Sequence, residues 1–216
     1  MTKVDRKENP IFTDYSDNSV QDALKKDFFK RCYICEEVTR HYEVEHFYPQ
    51  KKYKHLENDY KNLFYSCQKC NKIKPKDINT SSENEIINCC EIDPSKYIKL
   101  RLNTKDCKVE IEKINDEPDK GNKVKETIKL LNRVYNRENS KSKSCEDLKD
   151  DIKEEIENFR KKLDKYEKTK LKRVAQNEII EEISEKSAYI SFKRCIIIYN
   201  QRLFKDFERY INIRLY

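Results

Sequence analysis

Two Cys-x-x-Cys pairs constrain this chain more than any other feature. Cys32-Tyr-Ile-Cys35 and Cys67-Gln-Lys-Cys70 place four thiols in two short chelating turns joined by a longer loop. Zn²⁺ favours four tetrahedral ligands, and an all-cysteine set leaves no open position, so such an ion is structural. Two-residue spacers on both sides of a loop are a strong signal for it. Disulfides are the alternative in a chain with nine cysteines. Nothing else in the sequence asks for an oxidising compartment. No apolar N-terminal run precedes a small-residue cleavage site. No apolar stretch of about 18 residues offers a membrane span. Cys89, Cys90, Cys107, Cys145 and Cys195 lack paired spacing, as free thiols in a reducing cytoplasm do. A cytoplasmic protein without a membrane partner is expected.

Between the cysteine pairs, Glu43, Glu45 and Phe47 alternate with Val44, His46 and Tyr48, which predicts a strand. Neighbours on a strand face opposite ways. At a strand end, Glu45 and His46 can still reach one cavity if the backbone turns, and Pro49 is placed to end the pairing. His46 can take a proton near neutral pH. Glu45 is a hard oxygen ligand suited to Mg²⁺ or Mn²⁺. Taken alone, the pair also fits a solvated strand with an ordinary surface histidine. Its place between the cysteine pairs, with Asn71 directly after Cys70, favours a site. His41 and His55 lack flanking ligands. From Lys51 to Lys76, the lysines 51, 52, 54, 61, 69, 72, 74 and 76 face only Glu57 and Asp59. Lys51, Lys52, Lys69, Lys72 and Lys74 therefore make a candidate phosphate-contacting surface, although Lys72 and Lys74 on one helix also fit a solvated face. Tyr48, Tyr53 and Tyr60 are interleaved with these lysines, while Phe64 reads as core. Over the whole chain the net charge of +7 is spread among mixed charges, as on a salt-laced helical surface.

These residues together resemble the HNH, or ββα-metal, nuclease motif in its four-cysteine form. The resemblance implies that Glu45 and Asn71 hold a catalytic Mg²⁺ or Mn²⁺, that His46 is the general base, and that Asn62 braces the loop and orients the histidine. Many members carry Asp at the position of Glu45 and His at that of Asn71. Glu45 and Asn71 both offer oxygen, so hard-metal chemistry survives while metal preference is left open. Asp22-Ala-Leu24, Arg31 through Glu36, Asp93-Pro94, Thr127-Ile128, Leu131-Asn132 and Arg137 extend the likeness over roughly residues 20–138. Together they are similar to the HNH subunit of Septu-type (PtuB-like) anti-phage defence systems, also found beside some retrons. That similarity implies a nuclease effector with an ATPase subunit as partner and nucleic acid as target, DNA favoured. An RNA-targeting nuclease and a zinc-bound nucleic-acid-binding module without catalysis are the alternatives.

The expected fold class is α+β, a zinc-stapled ββα finger within a mainly helical protein. Residues 1–31 would be an N-terminal arm and helix, 32–77 the finger, 78–138 an extension with short strands and a helix, and 139–216 a helical region. The first 18 residues are polar and aperiodic, like an arm that orders only on a partner. Tyr97–Leu102 and Lys108–Lys113 alternate weakly and could pair as a hairpin. Residues 116–122 and 139–144 read as breaks, and Ser144 as a helix N-cap. Leu148, Ile152, Ile156, Phe159, Leu163 and Tyr166 then form a narrow helical seam. Such a seam suits packing within the chain or contact with another protein. Residues 187–216 read as one or two buried helices.

Overall fold

The computed structural model describes residues 1–106, 108–114, 121–136 and 143–211. The chain runs through α1 (Asn18–Asp27), β1 (Tyr42–His46), β2 (Leu63–Cys67) and α2 (Gln68–Ile73). It continues with β3 (Ile98–Asn103), β4 (Lys108–Lys113), α3 (Gly121–Tyr135) and α4 (Lys143–Lys168). It ends with α5 (Lys172–Glu182), α6 (Ile190–Ile198) and α7 (Gln201–Ile211). This is a mainly helical α+β arrangement. Both sheets are antiparallel pairs, β1 with β2 and β3 with β4. The β3–β4 pair is the hairpin that the weak alternation suggests. The break at 139–142, Arg137, Cys107 and the side chains of Ser144 and Cys145 lie outside the described residues, as does most of the break at 116–122.

In the first pair, Tyr42 sits opposite Cys67 and His46 opposite Leu63. β2 is buried along its whole length, Phe64 packing against Phe28 just past α1 and Tyr65 stacking on Tyr42 of β1. α2 follows β2 without a loop. Cys67 caps it, its Sγ accepting from the Cys70 amide at 3.4 Å.

The N-terminal segment is not a free arm. Met1 and Val4 are buried, and the Val4 amide donates to the Cys89 carbonyl at 2.9 Å. Arg6 is the main anchor. Its guanidinium lies over the rings of Phe28, Tyr60 and Phe64 at 5.3, 5.0 and 4.7 Å. It also donates to the Tyr60 and Leu63 carbonyls at 2.5 and 2.6 Å. Three aromatic faces and two carbonyls offset the ordering cost that a polar, aperiodic composition alone would not.

The α4 seam is buried within this chain. Leu148, Ile152 and Ile156 join a core that also holds β1–β2 and α3. Phe159, Leu163 and Tyr166 join a second core with α5 and α7. The cores therefore divide inside α4 and not near residue 139. Of the two uses open to the seam, packing within the chain is the one it serves. Lys193, 1% exposed, ties three helical segments together through Glu155 at 2.7 Å, Ser187 at 2.9 Å and Glu182. Among the described residues, no helix is long and apolar enough to cross a membrane.

Candidate functional site

The first cysteine pair sits at the tip of a turn closed by a bridge between Arg31 and Val38. The Cys32 amide donates to the Glu37 carbonyl at 2.9 Å, and the Glu36 amide to the Cys32 carbonyl at 3.0 Å. Glu36 takes a left-handed φ of 65° to make the reversal. The Tyr33 amide donates to the Tyr65 carbonyl at 3.0 Å and docks the turn on β2. The second pair lies where β2 becomes α2. All four sulfurs are buried and within 4.8 Å of one another.

The Cys35 and Cys67 sulfurs are 3.7 Å apart. A disulfide needs about 2.0 Å. A tetrahedron of zinc–sulfur bonds of about 2.3 Å has edges near 3.8 Å. The four cysteines can therefore hold a zinc ion. Their thiols are also coupled through hydrogen bonds. Burial opposes ionisation of Cys32, yet hydrogen bonds from Cys35, Cys67 and Cys70 bring its pKa well below the usual thiol value. Cys35 and Cys70 are pushed well above it, chiefly by their hydrogen bonds to Cys32. A cation at the centre relieves that conflict by stabilising every thiolate at once.

Beside this cluster, β1 and α2 face each other. Glu43 and Glu45, two apart on the strand, meet Asn71 and Lys74, three apart along the chain. Asn71 Nδ2 donates to Glu43. Among the described residues, no donor reaches Asn71 Oδ1. Lys74 Nζ donates to Glu45 Oε1 at 2.5 Å and to the His46 and Phe47 carbonyls at 3.0 and 3.2 Å. Glu45, His46, Asn71 and Lys74 line one open cleft of about 380 Å³, together with Tyr15 and Lys51. A smaller hollow of about 130 Å³ lies among Leu100, Ile156, Phe192 and Cys195.

His46 is held from two sides. Its Nε2 lies 2.9 Å from the Glu57 carbonyl. A carbonyl only accepts, so Nε2 is the donor, and with Nε2 so engaged Nδ1 is the ring nitrogen left to accept a proton. Tyr15 sets its ring edgewise against the imidazole, with centroids 4.8 Å apart. Asn62 shapes the loop that presents Glu57. It is 3% exposed. Its Oδ1 accepts from the Tyr48 amide at 2.7 Å, and its Nδ2 donates to the Tyr48 and Leu56 carbonyls, both at 3.1 Å.

The candidate lysines part company. Lys51, Lys52 and Lys72 are exposed, and Lys69 is half-buried. Lys74 is 8% exposed and faces Glu45 instead of solvent. Burial lowers its pKa, and Glu45 pulls it back up. His41 and His55 are exposed and away from the cleft. Glu43, Tyr15 and Glu57 escape a reading of the sequence as site residues. Glu43 had a signal, since it shares a strand face with Glu45. Tyr15 is distant in sequence, and Glu57 acts through its backbone, which no side-chain pattern records.

The site is thus a four-thiol cluster beside a cleft that carries a carboxylate, an oriented histidine and an amide oxygen. Two curated relatives resemble the chain. It is 31% identical to Septu protein PtuB of Bacillus mycoides (strain KBAB4), over 42% of this chain and 41% of that protein. It is 36% identical to Septu protein PtuB of Bacillus thuringiensis, over 32% of this chain and 28% of that protein. The chain thus spans less than half the length of either relative. No family model matches, and no solved structure matches.

Proposed function

We propose that this chain is a metal-dependent endonuclease of the HNH type. It hydrolyses phosphodiester bonds in nucleic acid, DNA by preference, as the nuclease component of an anti-phage defence assembly with an ATPase partner. The observation that carries this reading is the meeting of Glu45, His46 and Asn71 at one cleft, with the His46 Nε2 proton engaged by Glu57. Similarity to the Septu proteins supports the defence setting.

His46 Nδ1 takes the proton of a water molecule aimed at the phosphorus. Glu57 and Tyr15 keep the ring from rotating, and Asn62 keeps the Glu57 carbonyl in place. The Glu45 oxygen not engaged by Lys74, and Asn71 Oδ1, would hold Mg²⁺ or Mn²⁺. Bound there, such an ion offsets charge on the phosphoryl group and the leaving oxygen. Zinc on the four cysteines would fix α2, which carries Asn71, against β1, which carries Glu45 and His46. Lys51 at the cleft and the exposed Lys52 and Lys72 would meet flanking phosphates.

The test is nicking of supercoiled plasmid by zinc-loaded protein with Mg²⁺ or Mn²⁺, alone and with the ATPase subunit, alongside an RNA substrate. General-base help is about 10²–10⁴-fold, so His46→Ala should lose about that much while zinc content and melting stay unchanged. Full activity of a metal-clean His46→Ala preparation refutes the assignment. Binding without cleavage under every condition leaves the non-catalytic nucleic-acid-binding module.

A further inference from the structure

One cation of this chain already sits on the proposed metal ligand. Lys74 caps the end of α2 and places Nζ 2.5 Å from Glu45 Oε1, with the side chains only 5% and 13% exposed. The His46 and Phe47 carbonyls, at 3.0 and 3.2 Å, complete a cradle of three oxygens. Lys72, on the same helix, is exposed. The Lys74–Glu45 contact is therefore not a screened surface pair of negligible worth. Asn71 is neutral. Glu43 keeps its negative charge while accepting from the Asn71 amide, and Lys74 is the cation in direct contact with Glu45.

We propose that Lys74 is a built-in counter-charge that keeps the affinity of the Glu45 site for divalent metal low. This rests on the HNH reading of the cleft. A divalent ion on the free oxygen of Glu45 meets an ammonium on the other oxygen of the same carboxylate. Like charges at such range, with little water between them, repel appreciably. The ion then draws its remaining negative ligands from the phosphate oxygens of the substrate, as hard cations held by one or two protein groups do. Lys74 thereby makes firm metal binding depend on bound nucleic acid.

The test is direct Mn²⁺ binding to zinc-loaded protein without nucleic acid, followed by electron paramagnetic resonance. Lys74→Met should bind Mn²⁺ tighter by roughly tenfold or more, whereas Lys74→Arg should stay near wild type. Lys74→Gln keeps a donor for the two carbonyls and carries the test if Lys74→Met does not fold. Unchanged or weaker Mn²⁺ binding by the neutral variants overturns the proposal, because a purely orienting lysine would weaken the site when removed. Glu45→Gln separates the two levels of inference. If it leaves Mn²⁺ binding intact, the metal is not at Glu45 and the HNH reading of the cleft fails. If it abolishes binding while Lys74→Met gives no gain, only the role of Lys74 falls.

Discussion

Removing the Asn62 amide tests how the site is held independently of what it does. Asn62→Ala deletes the acceptor of the Tyr48 amide at 2.7 Å and the donor to the Tyr48 and Leu56 carbonyls at 3.1 Å. A typical bond of this kind contributes about 1 kcal/mol net, and a group left unsatisfied in a buried place costs about 1–3 kcal/mol. The loop is half-exposed, so water recovers part of the loss, and about 3 kcal/mol is the expected total. At about 2–4 °C per kcal/mol for a chain of this size, the melting temperature should fall by about 6–12 °C. Asn62→Asp should do no better, since it keeps the acceptor but turns a carboxylate toward two carbonyls. Calorimetry of zinc-loaded protein measures the stability. Nitrogen-15 spectra of the imidazoles measure the consequence at His46, and three histidines keep them simple. In the wild type His46 should show the Nε2-protonated form, and in Asn62→Ala a mixture. A melting temperature within about 2 °C of wild type, with the His46 signature unchanged, would refute the bracing role.

Zinc should co-purify with the chain. Structural sites of this type contribute an apparent ~10–16 kcal/mol, so chelation or Cys35→Ser should unfold the β1–β2 pair and α2; an unchanged melt after complete zinc removal would contradict this. A hydrogen bond from Cys89 and the Arg6 guanidinium, whose Nε lies 3.2 Å from the sulfur, draw the Cys90 thiol down to about 7 against the effect of burial. Burial instead pushes Cys195 up to about 11. Because the thiolate is the nucleophile, iodoacetamide should modify Cys90 before Cys195 near pH 8. The Cys90 rate should level off above that pH while the Cys195 rate keeps rising, and equal rates read by peptide mass spectrometry would count against the Arg6 contact. Leu148 and Ile156 are 3% and 2% exposed. Burying two carboxylates there costs several kcal/mol each, so Leu148→Asp with Ile156→Asp should abolish cooperative unfolding; a well-folded double variant that loses only assembly would restore the seam as an interface.

What the sequence makes legible is what side chains record at fixed spacing. The two-residue cysteine spacers report a four-sulfur cluster because a chelating turn demands that spacing. The α4 seam reports a buried stripe, although periodicity alone does not say whose core it enters. The β3–β4 hairpin is visible as alternation because its outer face carries Lys99, Arg101, Glu110 and Glu112 in cross-strand pairs. The anchoring of the N-terminus is not legible, because it depends on one arginine meeting aromatics from α1, the loop and β2. Nor is the burial of Lys74. α2 has six residues, too few for a periodic pattern, so a lysine bound for Glu45 looks the same as its exposed neighbour Lys72.

The deepest departure from a local reading is that Glu45 and His46 share a cleft at all. On a regular strand they would face opposite sides, and each does take its own partner, Lys74 for Glu45 and the Glu57 carbonyl for His46. They converge because pairing stops at His46 opposite Leu63 and the next residue is clamped. The Phe47 amide donates to the Asn62 carbonyl at 2.9 Å. The Phe47 carbonyl accepts from Asn79 Nδ2 at 2.7 Å and from Lys74 at 3.2 Å. Its ring is 1% exposed and stacks on Phe64 with centroids 5.0 Å apart. The side chains of Asn62, Lys74 and Asn79 thus converge on the Phe47–Tyr48 peptide unit, Asn62 Oδ1 accepting from the Tyr48 amide at 2.7 Å and the other two donating to the Phe47 carbonyl. Asn62 also sets the histidine loop, and Lys74 also holds the carboxylate. The same few side chains therefore position both the proposed general base and the proposed metal ligand. Substitutions among Asn62, Lys74 and Asn79 should for that reason be strongly non-additive, as residues within one network are.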